Sequence, residues 1–143
     1  MTILILCTGN SCRSQMAEGF LRSFNNRLKV YSAGTRPAPQ PNPHAVKVMG
    51  EVGIDIADNL PKNVDQFTAK SFDYVITVCD SAKAVCPRFT GQVRHRLHVG
   101  FKDPADFIGT PEEVLKVYRE VRDRIREKFF ALYTRKLLKI MKE

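Results

Sequence analysis

The sequence predicts an α/β fold, in which a single domain covers residues 1–143 and carries an open parallel four-stranded sheet with helices on both faces. Two observations lead to this prediction. Short apolar runs alternate along the chain with longer segments whose apolar residues recur at helical spacing. Such alternation is typical of a parallel sheet covered on both sides. A length of 143 residues also suits one hydrophobic core.

Four short segments have the composition of strands. The first, Ile3 to Leu6, is entirely apolar, and the segment 73–78 is rich in Val, Ile and Tyr. Both are therefore expected in the interior of the sheet. The segments 28–32 and 95–99 are more mixed and complete the sheet.

Helical spacing of apolar residues predicts three helices between these strands. The first follows the first strand and ends near Asn25. The second covers residues 45–52, where Pro43 suits the first turn and Gly53 suits the C-terminal stop. A shorter helix is predicted at residues 64–70.

The last third of the chain predicts one long helix. Thr110 is its N-cap, Pro111 takes the first helical position, and Glu113 completes a capping box. The apolar face continues to about residue 133. The helix can continue into residues 136–142. We expect the basic, partly apolar tail 134–143 to be a frayed end of it, with an oligomer contact or a membrane-surface segment as alternatives.

The connection between the first strand and the first helix is the strongest functional signal. Successive N–H groups in such a short loop can wrap an anion, and the helix N-terminus adds its positive dipole end. Gly9 and Asn10 tolerate the left-handed backbone of such a curl, and Arg13 offers a planar fork for a tetrahedral oxyanion. We predict an oxyanion site formed by Thr8, Gly9, Asn10, Ser11, Cys12, Arg13 and Ser14.

Cys7 begins this loop and is the predicted nucleophile. A free thiol titrates near ~8.5, and we expect the helix N-terminus and Arg13 to lower the pKa of Cys7. A thiolate beneath a bound oxyanion suits attack on phosphorus or arsenic. The alternative is a buried structural cysteine and a surface arginine, but the pattern of strand, Gly-Asn loop and helix favours the catalytic interpretation.

Cys79 and Cys86 form a second group of candidate functional residues, a pair of cysteines after the third predicted strand. In a regular helix, seven residues span about 10.5 Å along the axis, whereas a disulfide needs Cα atoms within roughly 7 Å. A bond between these thiols therefore requires the segment to loop out or unwind, which suits stepwise thiol–disulfide exchange. Two ordinary buried cysteines are the alternative.

Asp103 follows the fourth predicted strand and precedes Pro104. A protonated carboxyl at this place can donate to a leaving oxygen, although Asp-Pro also occurs in plain turns. The carboxyl ends of parallel strands meet at one edge of a sheet, where ligands bind. We therefore expect Cys7, Cys79 and Asp103 to share that edge.

Composition narrows the possible partners and the cellular location. The net charge is +8, yet many basic residues are interleaved with acidic ones in the last third and no aromatic platform accompanies them, so we expect no nucleic-acid partner. The chain shows neither a basic leader nor an apolar run of membrane-spanning length, which predicts a cytoplasmic protein without membrane contact. The four cysteines then favour catalytic or redox thiols over structural disulfides or zinc.

The loop sequence resembles a known family. Residues 7–18, Cys-Thr-Gly-Asn-Ser-Cys-Arg-Ser-Gln-Met-Ala-Glu, resemble the active-site loop of the low-molecular-weight tyrosine phosphatases, and residues 32–34, 52–55 and 103–105 continue the resemblance. Within that family, the second pair of cysteines and the Gly-Phe-Lys-Asp-Pro-Ala context resemble the thioredoxin-coupled arsenate reductases.

The resemblance implies a three-cysteine relay. The loop and Arg13 bind arsenate, for which phosphate or sulfate are analogues, and Cys7 attacks arsenic while Asp103 protonates the departing oxygen. Cys79 attacks Cys7 and releases arsenite. Cys86 then restores Cys7, and thioredoxin reduces the resulting disulfide. A glutaredoxin-like dithiol protein is the alternative electron donor.

Other features of the resemblance concern rival functions and ions. A tyrosine phosphatase working through a phosphocysteine at Cys7 is the alternative activity, and a non-enzymatic binding module is the second rival. We expect a monomer without cofactor or metal, in which Cys12 is structural.

Some relatives hold potassium with equivalents of Asn10 and Glu18 and a later carboxylate. In this chain, Lys62 stands near the position of that carboxylate. We therefore predict that the Lys62 ammonium replaces the cation and that potassium has no effect.

Overall fold

The computed structural model describes residues 1–142 and confirms the predicted α/β class. Its strands are β1 (Thr2–Cys7), β2 (Lys29–Gly34), β3 (Phe72–Thr77) and β4 (Val93–His98). They form one parallel sheet in the order β2-β1-β3-β4. The apolar run Ile3 to Leu6 is fully buried at the centre, as its composition predicted.

Helices and turns cover both faces of the sheet. The elements are α1 (Arg13–Phe24), α2 (Pro43–Gly50), α3 (Asp80–Ala84), α4 (Pro111–Leu132) and α5 (Leu138–Lys142), with 3-10 turns at Val64–Gln66 and Pro104–Asp106 and a π turn at Tyr133–Leu137. Ser32 donates a 2.8 Å hydrogen bond to Glu18 of α1. The neighbouring strand residue, Tyr31, packs on Phe67 with ring centroids 5.6 Å apart. Consecutive strand residues point to opposite faces, so α1 and Phe67 lie on opposite sides.

The helix predicted at residues 64–70 is a single 3-10 turn, Val64–Gln66. The Phe67 N–H donates to the Val64 carbonyl over 2.9 Å, which closes the turn. The Phe67 ring then packs on Tyr31 and Phe72. Because these aromatic contacts draw the chain toward the start of β3, the turn does not continue as a helix.

The predicted start and stop of α2 and the predicted start of α4 are confirmed. Asn42 caps α2 by accepting from two backbone N–H groups, and Gly53 has a φ of +81° just beyond the helix. In α4, the Thr110 hydroxyl accepts from the Glu113 N–H over 3.2 Å. The Glu113 carboxylate accepts in return from the Thr110 N–H over 3.0 Å. This reciprocal pair is the predicted capping box.

The expected continuation of the long helix into residues 136–142 is confirmed, whereas the fraying expected for the tail 134–143 is wrong for the residues that the structure describes; residue 143 lies outside them. The chain stays helical from Tyr133 to Lys142. Leu137 is fully buried, and the ring of Tyr133 lies 5.7 Å from that of Phe24 in α1. The apolar side chains of the tail therefore dock on α1, and this packing holds the helix.

No helix within residues 1–142 combines the length and the apolar character needed to cross a bilayer.

Candidate active site

The loop that joins β1 to α1 is curled around the side chain of Asn10. Asn10 has a φ of +50°, in the left-handed region that the sequence analysis anticipated. Its amide nitrogen donates to the hydroxyls of Ser14 and Ser32, each over 2.8 Å. Its amide oxygen accepts from the Lys62 N–H over 2.9 Å. A buried side chain with three bonds to three separate segments fixes the path of the loop.

The loop carbonyls are turned toward the proline-rich segment 35–42. Backbone N–H groups of that segment donate over 2.8–3.2 Å to the carbonyls of Cys7, Thr8, Gly9 and Ser11. Within residues 1–142, the N–H groups of residues 8–12 donate to no carbonyl. The Thr8 N–H bonds the Cys7 sulfur, and the other amides of this group remain available to donate to a bound oxyanion.

Two thiols lie together beneath the loop. Cys7 and Cys79 are both buried, and the two thiols lie close enough for each to shift the pKa of the other. The Cys79 sulfur also lies 3.3 Å from the Thr8 hydroxyl and accepts from the Ala82 N–H over 3.4 Å. The sulfur of Cys79 thus receives more hydrogen bonds than that of Cys7, because it also caps the N-terminus of α3.

The surroundings of the two thiols favour a negative charge on Cys79 over one on Cys7. The hydrogen bond from Cys7 lowers the pKa of Cys79 to about 5, with help from the Thr8 hydroxyl, the Ala82 N–H and the charge of Arg13, against burial. The same hydrogen bond and burial raise the pKa of Cys7, although Arg13 and the Thr8 N–H oppose this. The expected lowering of the Cys7 pKa is therefore wrong here, because Cys7 donates to the neighbouring Cys79 thiolate, which receives more hydrogen bonds than Cys7 does.

Arg13 and Asp103 close the other side of the site. Arg13 Nη2 lies 3.4 Å from Asp103 Oδ2, and Nη1 donates to the Phe101 carbonyl over 3.1 Å. Asp103 Oδ1 accepts from the Ala105 N–H over 3.0 Å, so the same carboxylate caps the 3-10 turn that follows. The geometry confirms that Asp103 shapes a turn and places its carboxylate beside the loop arginine. Its role as a proton donor stays a prediction.

The predicted sharing of one sheet edge is confirmed. β1 ends at Cys7 and β3 at Thr77, and Leu6 pairs with Thr77 in parallel register. Cys79 follows two residues beyond β3 and meets Cys7. Asp103 follows β4 and pairs with Arg13 of the loop.

This geometry agrees with a comparison to known families. Residues 2–142 match the family model described as low molecular weight phosphotyrosine protein phosphatase. The chain belongs to this family. The fold implied by the loop sequence is therefore correct.

Several proteins similar to this chain are named arsenate reductase and not phosphatase. A relative named arsenate reductase, from Halalkalibacterium halodurans, is 48% identical over 132 residues, which are 90% of this chain and 94% of the relative. A solved arsenate reductase in the phosphate-binding state has a TM-score of 0.75 at 30% identity, covering 93% of this chain and 96% of that one. A thioredoxin-dependent arsenate reductase from Corynebacterium glutamicum has a TM-score of 0.61 at 29% identity, over 93% of this chain and 62% of its own.

Cys86 lies apart from the phosphatase-family loop. All four cysteines are free thiols. α3 separates Cys79 from Cys86, which is half-buried and donates to the Pro87 carbonyl over 3.7 Å. Within the described chain, Cys86 makes no hydrogen bond to Cys7 or Cys79. The structure thus brings Cys7 and Cys79 together and leaves the third predicted thiol on the far side of a short helix.

Cys12 is buried inside the loop, and burial together with the charge of Asp103 raises its pKa to about 12. A thiol with so high a pKa stays protonated at neutral pH and is a poor nucleophile. This agrees with the structural role expected for Cys12.

The predicted placement of the Lys62 ammonium is wrong. The backbone N–H of Lys62 bonds Asn10, but the ammonium lies 3.5 Å from the Leu60 carbonyl. Glu18 is instead engaged by Ser32 and by Arg22, at 2.8 and 3.7 Å. The Lys62 backbone lies beside the loop as expected, but its side chain turns away. The absence of a potassium effect stays a prediction.

Asn42, Tyr118 and Gly34 support the loop from outside, and none of them was predicted to do so from the sequence. The Asn42 N–H bonds the Ser11 carbonyl over 2.9 Å, and the Asn42 amide donates to the Tyr118 hydroxyl over 3.0 Å. A side chain at Gly34 would collide with the Thr8 carbonyl. The four prolines of segment 37–43 were the only signal, because a rigid extended segment suits a brace.

Proposed function

We propose that this protein is an arsenate reductase, which converts arsenate to arsenite. The observation that carries the proposal is the placement of two buried thiols, Cys7 at the end of β1 and Cys79 at the N-cap of α3, side by side beneath the oxyanion loop. A phosphatase needs a single nucleophile and then water, whereas a reductase needs a second thiol within reach of the first. Relatives named arsenate reductase, 42–48% identical to this chain, support the same conclusion.

Substrate binding uses the loop amides and Arg13. Arsenate is a tetrahedral oxyanion that the amides of residues 8–13 and the guanidinium fit together. The bound anion competes with Asp103 and the Phe101 carbonyl for Arg13, which now holds both. Phosphate has the same shape and charge, and the relative solved in a phosphate-binding state is consistent with this.

The first chemical step is the attack of Cys7 on arsenic. Transfer of a proton along the Cys7–Cys79 hydrogen bond moves the negative charge to Cys7. The Cys7 sulfur then bonds to arsenic, and one arsenate oxygen leaves as water after accepting a proton from Asp103. Arsenic stays in the +5 state in this step, because a ligand is exchanged and no electrons are transferred.

The second and third steps are thiol–disulfide exchanges. Cys79 gives up its proton and attacks the Cys7 sulfur. The electron pair of the sulfur–arsenic bond moves to arsenic, which leaves as arsenite in the +3 state, and a Cys7–Cys79 disulfide remains. Cys86 next attacks Cys79, and Cys7 departs as a thiolate. Thioredoxin, a dithiol protein, reduces the Cys79–Cys86 disulfide; the thioredoxin-dependent relative supports this donor.

A single turnover tests this function. Fully reduced protein is incubated with arsenate without reductant, quenched with an alkylating agent and mapped by mass spectrometry. We expect about one arsenite per chain and a Cys79–Cys86 disulfide. The Cys86→Ser variant should stop after one turnover with Cys7 bonded to Cys79, and its sustained turnover with thioredoxin would exclude the relay.

A phosphatase activity is the second candidate, because the same loop, Arg13 and Asp103 serve a phosphocysteine route. A cavity of about 640 Å³ beside Asp103 is lined in part by Phe101 and Phe107, which suits an aromatic phosphate ester. Four alkylated cysteines, no arsenite and turnover of an aryl phosphate would identify this activity. A cytoplasmic monomer without nucleic-acid partner stays our prediction for either enzyme.

A further inference from the structure

Cys86 lines a small basic cavity on the sheet. The cavity has a volume of about 240 Å³ and lies against β3 and β4. Its lining comprises Val75, Thr77, Lys83, Cys86, Arg96, Leu97 and His98. Three of these side chains are basic and none is acidic, so the cavity is an electropositive setting for a thiol.

Arg96 is the cation that acts most directly on Cys86. Its guanidinium carbon lies 5.4 Å from the centroid of the Phe89 ring. Phe89 is buried, belongs to the same segment as Cys86, and packs edge-on against Phe72 with centroids 6.2 Å apart. This cation–π contact fixes the guanidinium over the segment that carries the thiol.

The charge of Arg96 is not neutralised by a carboxylate. Within residues 1–142 no acidic group lies within salt-bridge distance of Arg96, whereas Arg94 on the same strand lies 3.8 Å from Asp73. Burial raises the pKa of Cys86, and the charge and hydrogen bond of Arg96 oppose that rise.

The other basic groups of the cavity, His98 and Lys83, are less suited than Arg96 to act on the Cys86 thiol. His98 bonds the Thr77 hydroxyl over 2.7 Å and the Asp80 carboxylate over 3.1 Å. Lys83 belongs to α3, the helix that must open for Cys86 to reach Cys79. Arg96 belongs to β4 and stays with the sheet.

We propose that Arg96 is a positioning residue for the last exchange of the relay, holding the Cys86 segment through Phe89 and stabilising the Cys86 thiolate before it attacks. This role rests on the proposed reductase function. In the step concerned, Cys86 loses its proton to solvent and its sulfur bonds to Cys79. The Cys7–Cys79 bond breaks, and Cys7 leaves with the electron pair. One disulfide replaces another, with no net oxidation.

The first test measures the reactivity of Cys86 in the reduced protein. Alkylation by iodoacetamide is followed by peptide mass spectrometry from about pH 6 to pH 11.5, with the rate at pH 7 compared directly. Removing a nearby positive charge raises a thiol pKa by about one unit or more. We expect Arg96→Gln to move the Cys86 midpoint up by about one unit and to slow its alkylation at pH 7 roughly tenfold. Arg96→Lys, which keeps the charge, should restore most of the rate.

Arg94→Gln is the matched control, because it removes an arginine from the same strand that pairs with Asp73 and does not line the cavity. Its Cys86 profile should match that of the wild type. An unchanged midpoint in Arg96→Gln, or an equal shift in Arg94→Gln, would overturn the proposal.

The second test follows the single turnover in time. In Arg96→Gln we expect arsenite release at the wild-type rate and a roughly tenfold slower conversion of the Cys7–Cys79 disulfide into Cys79–Cys86. Conversion at the wild-type rate would overturn the role of Arg96 alone. Failure of the wild type to form Cys79–Cys86 would overturn the relay and with it this role. Equal slowing of arsenite release would indicate general damage to the fold and also overturn the proposal.

Discussion

Asn10 links the predicted oxyanion loop, residues 8–14, to α1, β2 and the segment at Lys62 through hydrogen bonds of its buried side chain. We expect Asn10→Ala to reduce the free energy of unfolding by about 3 kcal/mol, because the mutation leaves buried partners unsatisfied. Urea unfolding measures this. Asn63→Ala is the control: its side chain caps only an exposed turn by accepting from the Asp65 N–H, so a loss below about 1 kcal/mol is expected. Equal losses in the two variants would contradict the central place of Asn10.

The thiolate at Cys79 makes stability depend on pH. Its folded-state pKa of about 5 lies below the ordinary 9.0. Between these values the unfolded chain binds the proton and the folded chain does not, so the free energy of unfolding rises with pH across this window. Acidification through pH 5 removes the contribution. The raised pKa of Cys7 affects the free energy of unfolding only above about pH 9, so stability still rises with pH between pH 5 and pH 9.

We therefore expect the stability difference between wild type and Cys79→Ala to grow from pH 5 to pH 8, as measured by urea unfolding at each pH. Cys12→Ala is the control. The Cys12 pKa is raised to about 12, so its contribution is constant below pH 9 and the difference should be flat. A flat difference for Cys79→Ala would mean that the negative charge is not on that sulfur.

At the scale of elements, the C-terminal helix is a structural part of the domain. Leu137 is fully buried, whereas Ile140, one turn further on, is 41% exposed. We expect Leu137→Ala to cost about 3 kcal/mol of unfolding free energy, because a buried leucine leaves a cavity, and Ile140→Ala to cost less than about 1 kcal/mol. Thermal or urea unfolding distinguishes the two, and similar small losses in both would restore the frayed tail that the sequence suggested.

The short helix α3 has the opposite character, because it separates the two thiols of the proposed Cys79–Cys86 disulfide. The Lys83 and Val85 N–H groups donate to the carbonyls of Cys79 and Ser81 over 3.2 and 3.1 Å. Forming the Cys79–Cys86 bond brings the Cα atoms within roughly 7 Å, which a regular helix of this length does not allow. We expect these two amides to lose hydrogen-exchange protection in the oxidised protein while α4 amides keep theirs. Unchanged protection in the oxidised segment would show that the bond forms without unwinding.

These elements also show how far the sequence leads. The strands, the long helix and its capping box follow from local periodicity and caps, and the site edge follows from parallel connectivity. The pairing of Cys7 with Cys79, and hence the location of the charge, depends on side chains meeting across 72 positions of the chain. The direction of the Lys62 side chain, the end of the 3-10 turn before Phe67 and the docking of Leu137 depend equally on tertiary contacts, which no local pattern encodes.

At the scale of the whole molecule, the net charge of +8 favours the approach of an anionic substrate. Salt screens such attraction, since the Debye length falls to about 3 Å at 1 M. We expect kcat/KM for arsenate to fall severalfold between about 0.02 and 0.5 M sodium chloride, with kcat little changed, because screening weakens the encounter and leaves the thiol chemistry alone. Steady-state kinetics with saturating thioredoxin measures both constants.

Alkylation of Cys79 is the control for this salt effect. The rate with neutral iodoacetamide should not respond to salt, whereas the rate with anionic iodoacetate should fall as kcat/KM for arsenate does. A kcat/KM independent of salt would show that the charge acts on solubility and not on substrate capture.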